Sequence, residues 1–303
     1  MKIEWQLTQN FEDLPQEVFV FGSRKYLEAL KKAFSTIYIV YGEWTENEQL
    51  HKAWLPLFSH KQGPFKRAVT PLLTPYSGLI CSSKNIPIGS LNAFLKKNFH
   101  FNSHQLIDFE SQPNYLDRTT CVWDYSEEFE PNKSLRKKLK KAESLNLEIE
   151  NNADLKLLSK LYVEKINSRG AQLPYDQDSM FTFLSELNKA GLLEKHQISY
   201  QNQIVFSSAT LVDPSTKFAY IMSTATTPGF EKFPSHHLLN HYFLTQNTLG
   251  WKLIDHCGTE IDSIAKFKRI FSNKEITYPG LQFWSSKSSE LCYNALKKIK
   301  ACF

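Results

Sequence analysis

The sequence predicts an α/β (α+β) fold in two domains, and three observations carry that expectation. At 303 residues the chain exceeds what one hydrophobic core usually organises. Segments with helical apolar spacing alternate along it with β-branched and aromatic runs. Glu194 to Tyr200, Ile204 to Val212 and Phe218 to Thr224 follow one another across the polar turns Gln201-Asn202-Gln203 and Asp213-Pro214-Ser215-Thr216, which reads as an antiparallel meander.

Taken in order, Ser23 to Phe34 carries Tyr26, Leu27, Leu30 and Phe34 at helical spacing, and Thr36 to Tyr41 is a strand. Ala53 to Phe58 reads as a strand whose Pro56 suits an edge or a bulge, followed by a turn at Gln62-Gly63-Pro64. Pro71 to Gly78 is a structured loop, Ile88 to Phe99 a helix, and Gln105 to Phe109 and Thr119 to Tyr125 are strands. Near Ser126 to Pro131 an acidic stretch gives way to a basic one, and the domain boundary is placed there, dividing the chain into 1–125 and 126–285.

The second part reads as helix Asn132 to Ser144, strand Leu147 to Glu150, helices Asp154 to Ser168 and Gln177 to Ala190, the meander, helix Pro234 to Leu249 and strand Leu253 to His256. The final stretch, Ser288 to Cys302, puts Leu291, Ala295, Leu296 and Ile299 on one helical face. This helix, within 286–303, is expected to pack back on the first domain.

Composition excludes several classes. With 42% hydrophobic, 14% aromatic and 22% charged residues and no window dominated by one type, the chain is neither disordered nor collagenous. No stretch approaches the roughly 18 apolar residues of a membrane span, and Met1 to Gln6 lacks a basic head before an apolar core, so no span and a cytoplasmic location are expected. Five cysteines without a Cys-x-x-Cys pair read as reduced thiols. A net charge of +5 does not mark a nucleic-acid protein, yet it favours the approach of an anionic ligand.

Charge is concentrated in one place. Lys133, Arg136, Lys137, Lys140 and Lys141 fall at i, i+3, i+4, i+7 and i+8, a positive stripe opposite Leu135, Leu139 and Ala142. Such a stripe can meet phosphates or stand as a solvated face with Glu143 as salt partner. In Pro71 to Gly78, two Pro residues and a Gly fix a backbone that can present the Tyr76 hydroxyl, with Lys66 and Arg67 upstream as further candidates for the same cleft; the alternative is a tight structural turn.

His237 and His241 stand at i and i+4, with His236, His256 and Cys257 elsewhere, but the Glu of the His-Glu-x-x-His pattern is missing and no metal site is expected. No Gly-x-Ser-x-Gly elbow exists. Asp255, at a strand end, can act as a general base or hold the next turn.

Three patches together resemble the FemAB-like branch of the GNAT acyltransferases. Pro71 to Gly78 is similar to a Pro-x-x-x-Pro-Tyr-x-Gly loop of the first domain, and Arg136 to Ala142 to an Arg-x-x-Leu-x-x-Ala segment opening the second. Gly250 to Phe271 is similar to a closing helix, Gly, strand and Ser-Ile-x-x-Phe-Lys order, here Ser263-Ile264-Ala265-Lys266-Phe267-Lys268. The chain departs from the pattern at Ser272, where members often have Gly. The resemblance implies two GNAT-like domains with mixed, mostly antiparallel sheets, and transfer of an acyl or aminoacyl group to an amine of a cell-envelope or sugar precursor. Positioning and oxyanion stabilisation then suffice without a protein nucleophile.

The resemblance also implies roles. Lys268 is expected to bind a ligand or make a salt bridge particular to the fold, and Arg136, Lys137, Lys66, Arg67 and Tyr76 to contact substrate. Coenzyme A-using members bind pyrophosphate at a Gln/Arg-x-x-Gly-x-Gly/Ala turn, whereas this chain reads Thr227 to Ser235 with one Gly. Ser235 and His236 open the following helix; Ser235 as its cap would leave amides for an anion. An acyl-CoA donor predicts a narrow slot there, and an aminoacyl-tRNA donor predicts a wide basic groove. A different class stays open: a GNAT-like module that binds a nucleotide sugar or a protein without turnover.

Overall fold

The computed structural model describes residues 3–15, 19–83, 86–107, 116–168, 173–247, 250–258 and 261–301, with backbone alone for 297–301. Its contacts divide into two compact units: Met1–Lys31, Ser35–Arg118 and Tyr278–Phe303 form one, and Lys32–Phe34 with Thr119–Thr277 the other.

In chain order the elements are β1 (Glu4–Thr8), α1 (Arg24–Ala33), β2 (Ile37–Glu46), β3 (Gln49–Gln62), β4 (Phe65–Val69), β5 (Ser77–Gly78), β6 (Ile80–Cys81), α2 (Ile88–Asn98), β7 (Phe101–Ile107) and β8 (Leu116–Asp124). They continue as α3 (Lys133–Ser144), β9 (Glu148–Glu150), α4 (Leu155–Ser168), α5 (Gln177–Lys189), β10 (Leu193–Tyr200), β11 (Gln203–Asp213) and β12 (Phe218–Thr226). The last are α6 (Ser235–Thr245), β13 (Leu253–Asp255), α7 (Asp262–Lys268), β14 (Lys274–Trp284) and α8 (Lys287–Ala301).

The two units share one strand plan. The first runs β1-β2-β3-β4-β7-β14 and the second β9-β10-β11-β12-β13-β8. In each, an antiparallel meander is followed by a parallel pair, β4 with β7 or β12 with β13, with a helix between the paired strands. The sheets are therefore mixed, mostly antiparallel and flanked by helices.

One difference between the units positions the site. In the first, β5 runs parallel to β7 at Leu106 and Ile107, beyond the last β4 rung at Val69 and Ser103, so the Pro71 to Gly78 loop continues the pairing. In the second, β12 and β13 pair only from Phe218 and Leu253 to Tyr220 and Asp255, and β12 goes on to Thr226. A register shift opposite Ala209 and Thr210 leaves Met222 as a bulge just past that last rung, and a bulge bends its strand.

The cores follow from the patterning. In the first unit Val40, Leu55, Leu57 and Ala68 of the sheet pack with Leu91, Leu95 and Phe99. In the second, Ile198, Val205, Phe206, Ala219 and Ile254 pack with Leu135 of α3 and Leu239, Phe243 and Leu244 of α6. Helix α3 begins where Asn132 accepts the Leu135 amide at 2.9 Å, and α5 where Asp176 accepts that of Ser179 at 2.8 Å.

Three expectations differ from the structure. Pro56 sits inside a 14-residue interior strand. It is tolerated because β6 covers Ala53 and Trp54 and β4 covers Phe58 to Gln62, leaving Pro56 in the interval between them. Strand β14 has no counterpart among the elements read from the sequence, and Pro279 and Gly280 lie inside it. Helix α6 is preceded by Pro234 and has no side-chain cap, so Ser235 is its first helical residue and not its cap. Helix α8 touches the first unit through Tyr293, whose ring lies 5.7 Å from Phe65 and 5.0 Å from Trp284, whereas Leu291 and Leu296 of the predicted apolar face are 61% and 43% exposed. Phe109, Leu249 and Cys302, expected in elements, lie outside the described residues.

Candidate functional site

Beyond the Tyr220 and Asp255 rung, the second unit holds a cavity of about 520 Å³. Ile221, Met222, Ser223 and Thr224 of β12 form one wall, and His256 and Cys257 follow β13 on the other. Helix α6 contributes His236, His237 and Asn240, α4 contributes Tyr162, Lys165 and Ile166, and α7 contributes Ile264, Phe267 and Lys268. The volume lies in the usual range for a small-molecule site.

The turn after β13 is built to hold the second wall away. Cys257 and Gly258 both have φ of +55°, a left-handed conformation that costs a non-Gly residue energy. Lys268 holds it: its ammonium donates to the Cys257 carbonyl and, at 2.6 Å, to that of Gly258. From the other side the Asp255 carboxylate accepts the Cys257 amide at 2.6 Å and the Thr120 hydroxyl. Asp255 is fully buried and holds the turn, with no part in the cavity lining. His256 is fixed by a 2.8 Å contact from Nε2 to the Phe271 carbonyl, where Nε2 is the donor.

Electrostatics inside the cavity favour neutral groups and anions. Burial lowers the His256 pKa to about 4, so its ring is neutral at pH 7. Burial, and secondarily the charge of Lys138, lowers that of His237. Burial pushes the Cys257 thiol well up, with Asp255 adding to the effect, so it is not a thiolate nucleophile at neutral pH. Two cations line the space. Lys165 donates to the Thr224 carbonyl at 3.2 Å, and burial lowers the Lys268 pKa against the pull of Cys257 and Asp255. Glu231, fully exposed to solvent, accepts the Gly229 amide at 3.1 Å.

The structure gathers Lys268, His236, His237, His256 and Cys257, all singled out from sequence, around this cavity. His236 lies against Phe206, its ring 4.4 Å away, and its Nε2 is 3.5 Å from Thr226 Oγ1. Ser235 is buried beside it in chain order, its Oγ without a partner among the described residues. Arg136 and Lys137 are exposed on α3, where Arg136 Nε donates to the Pro131 carbonyl at 2.7 Å. Helix α3 packs on α6, and Lys141 donates to the Lys232 carbonyl at 3.3 Å.

The remaining candidates belong to the first unit. Tyr76 is buried, its ring 5.6 Å from Phe21 and 5.2 Å from Tyr278. The Lys66 ammonium lies over Phe99 at 4.7 Å and the Arg67 guanidinium over Phe101 at 4.4 Å. Among the described residues no three His, Cys, Asp or Glu side chains converge as a metal site, and no helix is long and apolar enough to cross a membrane.

Tyr162, Lys165, Ser223 and Asn240 escaped the sequence analysis. Two left a signal. Ser223 is a hydroxyl on the otherwise apolar inner run of a strand, and Asn240 interrupts the apolar face carrying Leu239, Phe243 and Leu244.

No protein-family model matches the chain, and no curated protein matches it in sequence. Solved structures do match in fold. A crystal structure of FemX superposes with a TM-score of 0.57 at 12% identity, over 86% of this chain and 91% of that one. L-PGS from Bacillus licheniformis gives 0.55 at 11% identity, over 90% of each chain. A tandem GNAT protein from the clavulanic acid biosynthesis pathway gives 0.52 at 7% identity, over 94% of this chain and 99% of that one. The chain has the GNAT fold of the FemX-like proteins. In this GNAT fold the cavity lies where the parallel pair of the second unit parts, at the start of α6.

Proposed function

We propose that this GNAT-fold protein is an N-acyltransferase of the FemAB-like branch, with its thioester donor bound in the cavity between β12 and the turn after β13. The observation that carries this reading is the parting of the strands beyond Tyr220 and Asp255, which exposes one edge of β12 beside the first turn of α6. The first N–H groups of any α-helix lack intrahelical acceptors and favour an anion. A slot at this helix start is what an acyl-CoA donor requires, and Lys165 and Lys268 add positive charge.

The chemistry is attack of a neutral amine on the acyl carbonyl. A C–N bond forms, the carbonyl oxygen gains negative charge in the tetrahedral intermediate, and the C–S bond then breaks as the thiol leaves. His237, neutral and half-buried in the cavity wall, accepts the proton of the attacking amine. Backbone amides of the exposed β12 edge supply donors for the oxyanion.

A second donor is favoured by a separate observation. Lys133, Arg136, Lys137, Lys138, Lys140 and Lys141 are all exposed on α3, which suits a polyanion such as aminoacyl-tRNA. The test is release of free coenzyme A thiol from acetyl-CoA and longer acyl-CoAs in the presence of amino sugars and amine-bearing envelope precursors. Amine-dependent release supports the reading. No release with any pair, from protein that binds acyl-CoA, contradicts transfer and leaves a binding module.

A further inference from the structure

The C-terminal end of α6 meets a second, smaller recess of about 80 Å³ in the same unit. Glu194 and His196 of β10, Tyr242 and Phe243 of α6, Gln246 just past the helix, and Trp251 line it. Glu194 and His196 stand two apart on a strand and so share a face. That face is the one against α6, because the His196 ring lies 5.7 Å from Tyr242 and 4.9 Å from Phe243. Trp251 is fixed beside them. Its ring lies 5.8 Å from Phe243, and Asn247 accepts its amide and donates to its carbonyl, each at 2.7 Å.

The charge of this recess is unbalanced. Glu194 is half-buried, and burial raises its pKa with no neighbouring cation or hydrogen-bond donor among the described residues to offset it. A carboxylate drawn partly out of water without a counter-charge is a place where a cation gains. Burial lowers the His196 pKa to about 4, so the imidazole is neutral at pH 7 and sets no positive charge against such a guest. Helix α6 ends here, and the last carbonyls of a helix carry partial negative charge.

The lining also separates an organic cation from a metal ion. Glu194 and His196 are two ligands, and no third His, Cys, Asp or Glu joins them among the described residues. The remaining walls are the rings of Tyr242, Phe243 and Trp251, which attract an ammonium but do not ligate a metal. The small volume admits a head group of a few heavy atoms.

We propose that the recess at the C-terminal end of α6 binds a small organic ammonium ion, with Glu194 as its counter-charge and Tyr242, Phe243 and Trp251 as its aromatic wall. His236 and His237 line the acyl-transfer cavity from the first turn of the same helix, so this is a second site, and it does not depend on the transfer reading.

The test is a nuclear magnetic resonance titration of the isotope-labelled intact protein, following the indole N–H of Trp251. The probes are ethylammonium chloride, its neutral isostere ethanol, and potassium chloride at matched ionic strength. The expected result is a saturable shift with ethylammonium alone. Glu194→Gln, which keeps the shape and removes the charge, should raise its Kd by about tenfold or more. Tyr242→Leu should raise it about threefold, and keeps the test decisive if Glu194→Gln fails to fold. An equal shift with potassium reduces the site to general electrostatics and overturns the ammonium assignment. An equal shift with ethanol, wild-type affinity in the folded variants, or no saturable shift in the wild type also overturns it.

Discussion

Tyr220 on β12 lies opposite Asp255 on β13 as the last rung of their parallel pair, and the strands part from there. On one side the bulge at Met222 bends β12; on the other, two left-handed residues turn the chain after Asp255. The cavity is the consequence.

Lys268 is the support of that second wall. Replacing it with Met leaves the Cys257 and Gly258 carbonyls without their cation and lets the turn relax. The expected cost is about 1–3 kcal/mol of stability, with weaker donor binding. Urea unfolding and acetyl-CoA titration of the variant check both.

Asp255 acts through the fold. Its buried carboxylate holds the Thr120 hydroxyl and the Cys257 amide, so Asp255→Ala should cost about 2–3 kcal/mol. Variant protein that keeps wild-type stability but loses only turnover would assign it to the chemistry instead.

Acid should unfold the protein through its neutral histidines. Burial lowers His104, whose two ring nitrogens have no partner among the described residues, and His256 to about 4 from 6.5. With the folded value below the unfolded one, the unfolded chain takes up the proton first, so stability is lost as pH falls from about 6.5 towards 4. At pH 5 the loss is about 2 kcal/mol per histidine. His104→Leu should keep its stability at pH 7 and flatten the dependence, which urea midpoints at pH 7.5 and 5 will show.

The α3 stripe separates the two donors. Lys137→Glu with Lys140→Glu changes exposed residues, so stability should move by no more than about 0.5 kcal/mol. If a polyanion docks there, affinity for aminoacyl-tRNA falls and its salt dependence becomes shallower. Unchanged binding and unchanged salt slope would remove α3 from donor recognition.

Much of the second unit was legible because its elements advertise themselves locally. Asn132 and Asp176 cap helices, Gly191 closes one, and polar turns separate the strands of the meander. What was hidden depends on pairing across long separations. Nothing in Lys274 to Trp284 says that Pro279-Gly280 lies inside a strand, because only its partners make it one. The bulge at Met222 and the left-handed Cys257 are likewise set by neighbours. Lys268 was visible as a motif residue, yet its work of holding two carbonyls was not. Ser223 and Asn240, residues of the cavity lining, were legible only as polar interruptions of apolar faces. Tyr76 drew attention in a loop fixed by Pro and Gly, with Lys66 and Arg67 upstream, and their ring and cations are engaged with aromatic neighbours in the first unit.

The most direct test of the account is a thermal-unfolding titration of the purified protein with acetyl-CoA and longer acyl-CoAs. A ligand at about a hundred times its Kd stabilises the native state by about 2.7 kcal/mol, enough to raise Tm by several degrees. A saturable rise is the predicted result. No rise at millimolar acyl-CoA would contradict the assignment of the cavity as a thioester donor site.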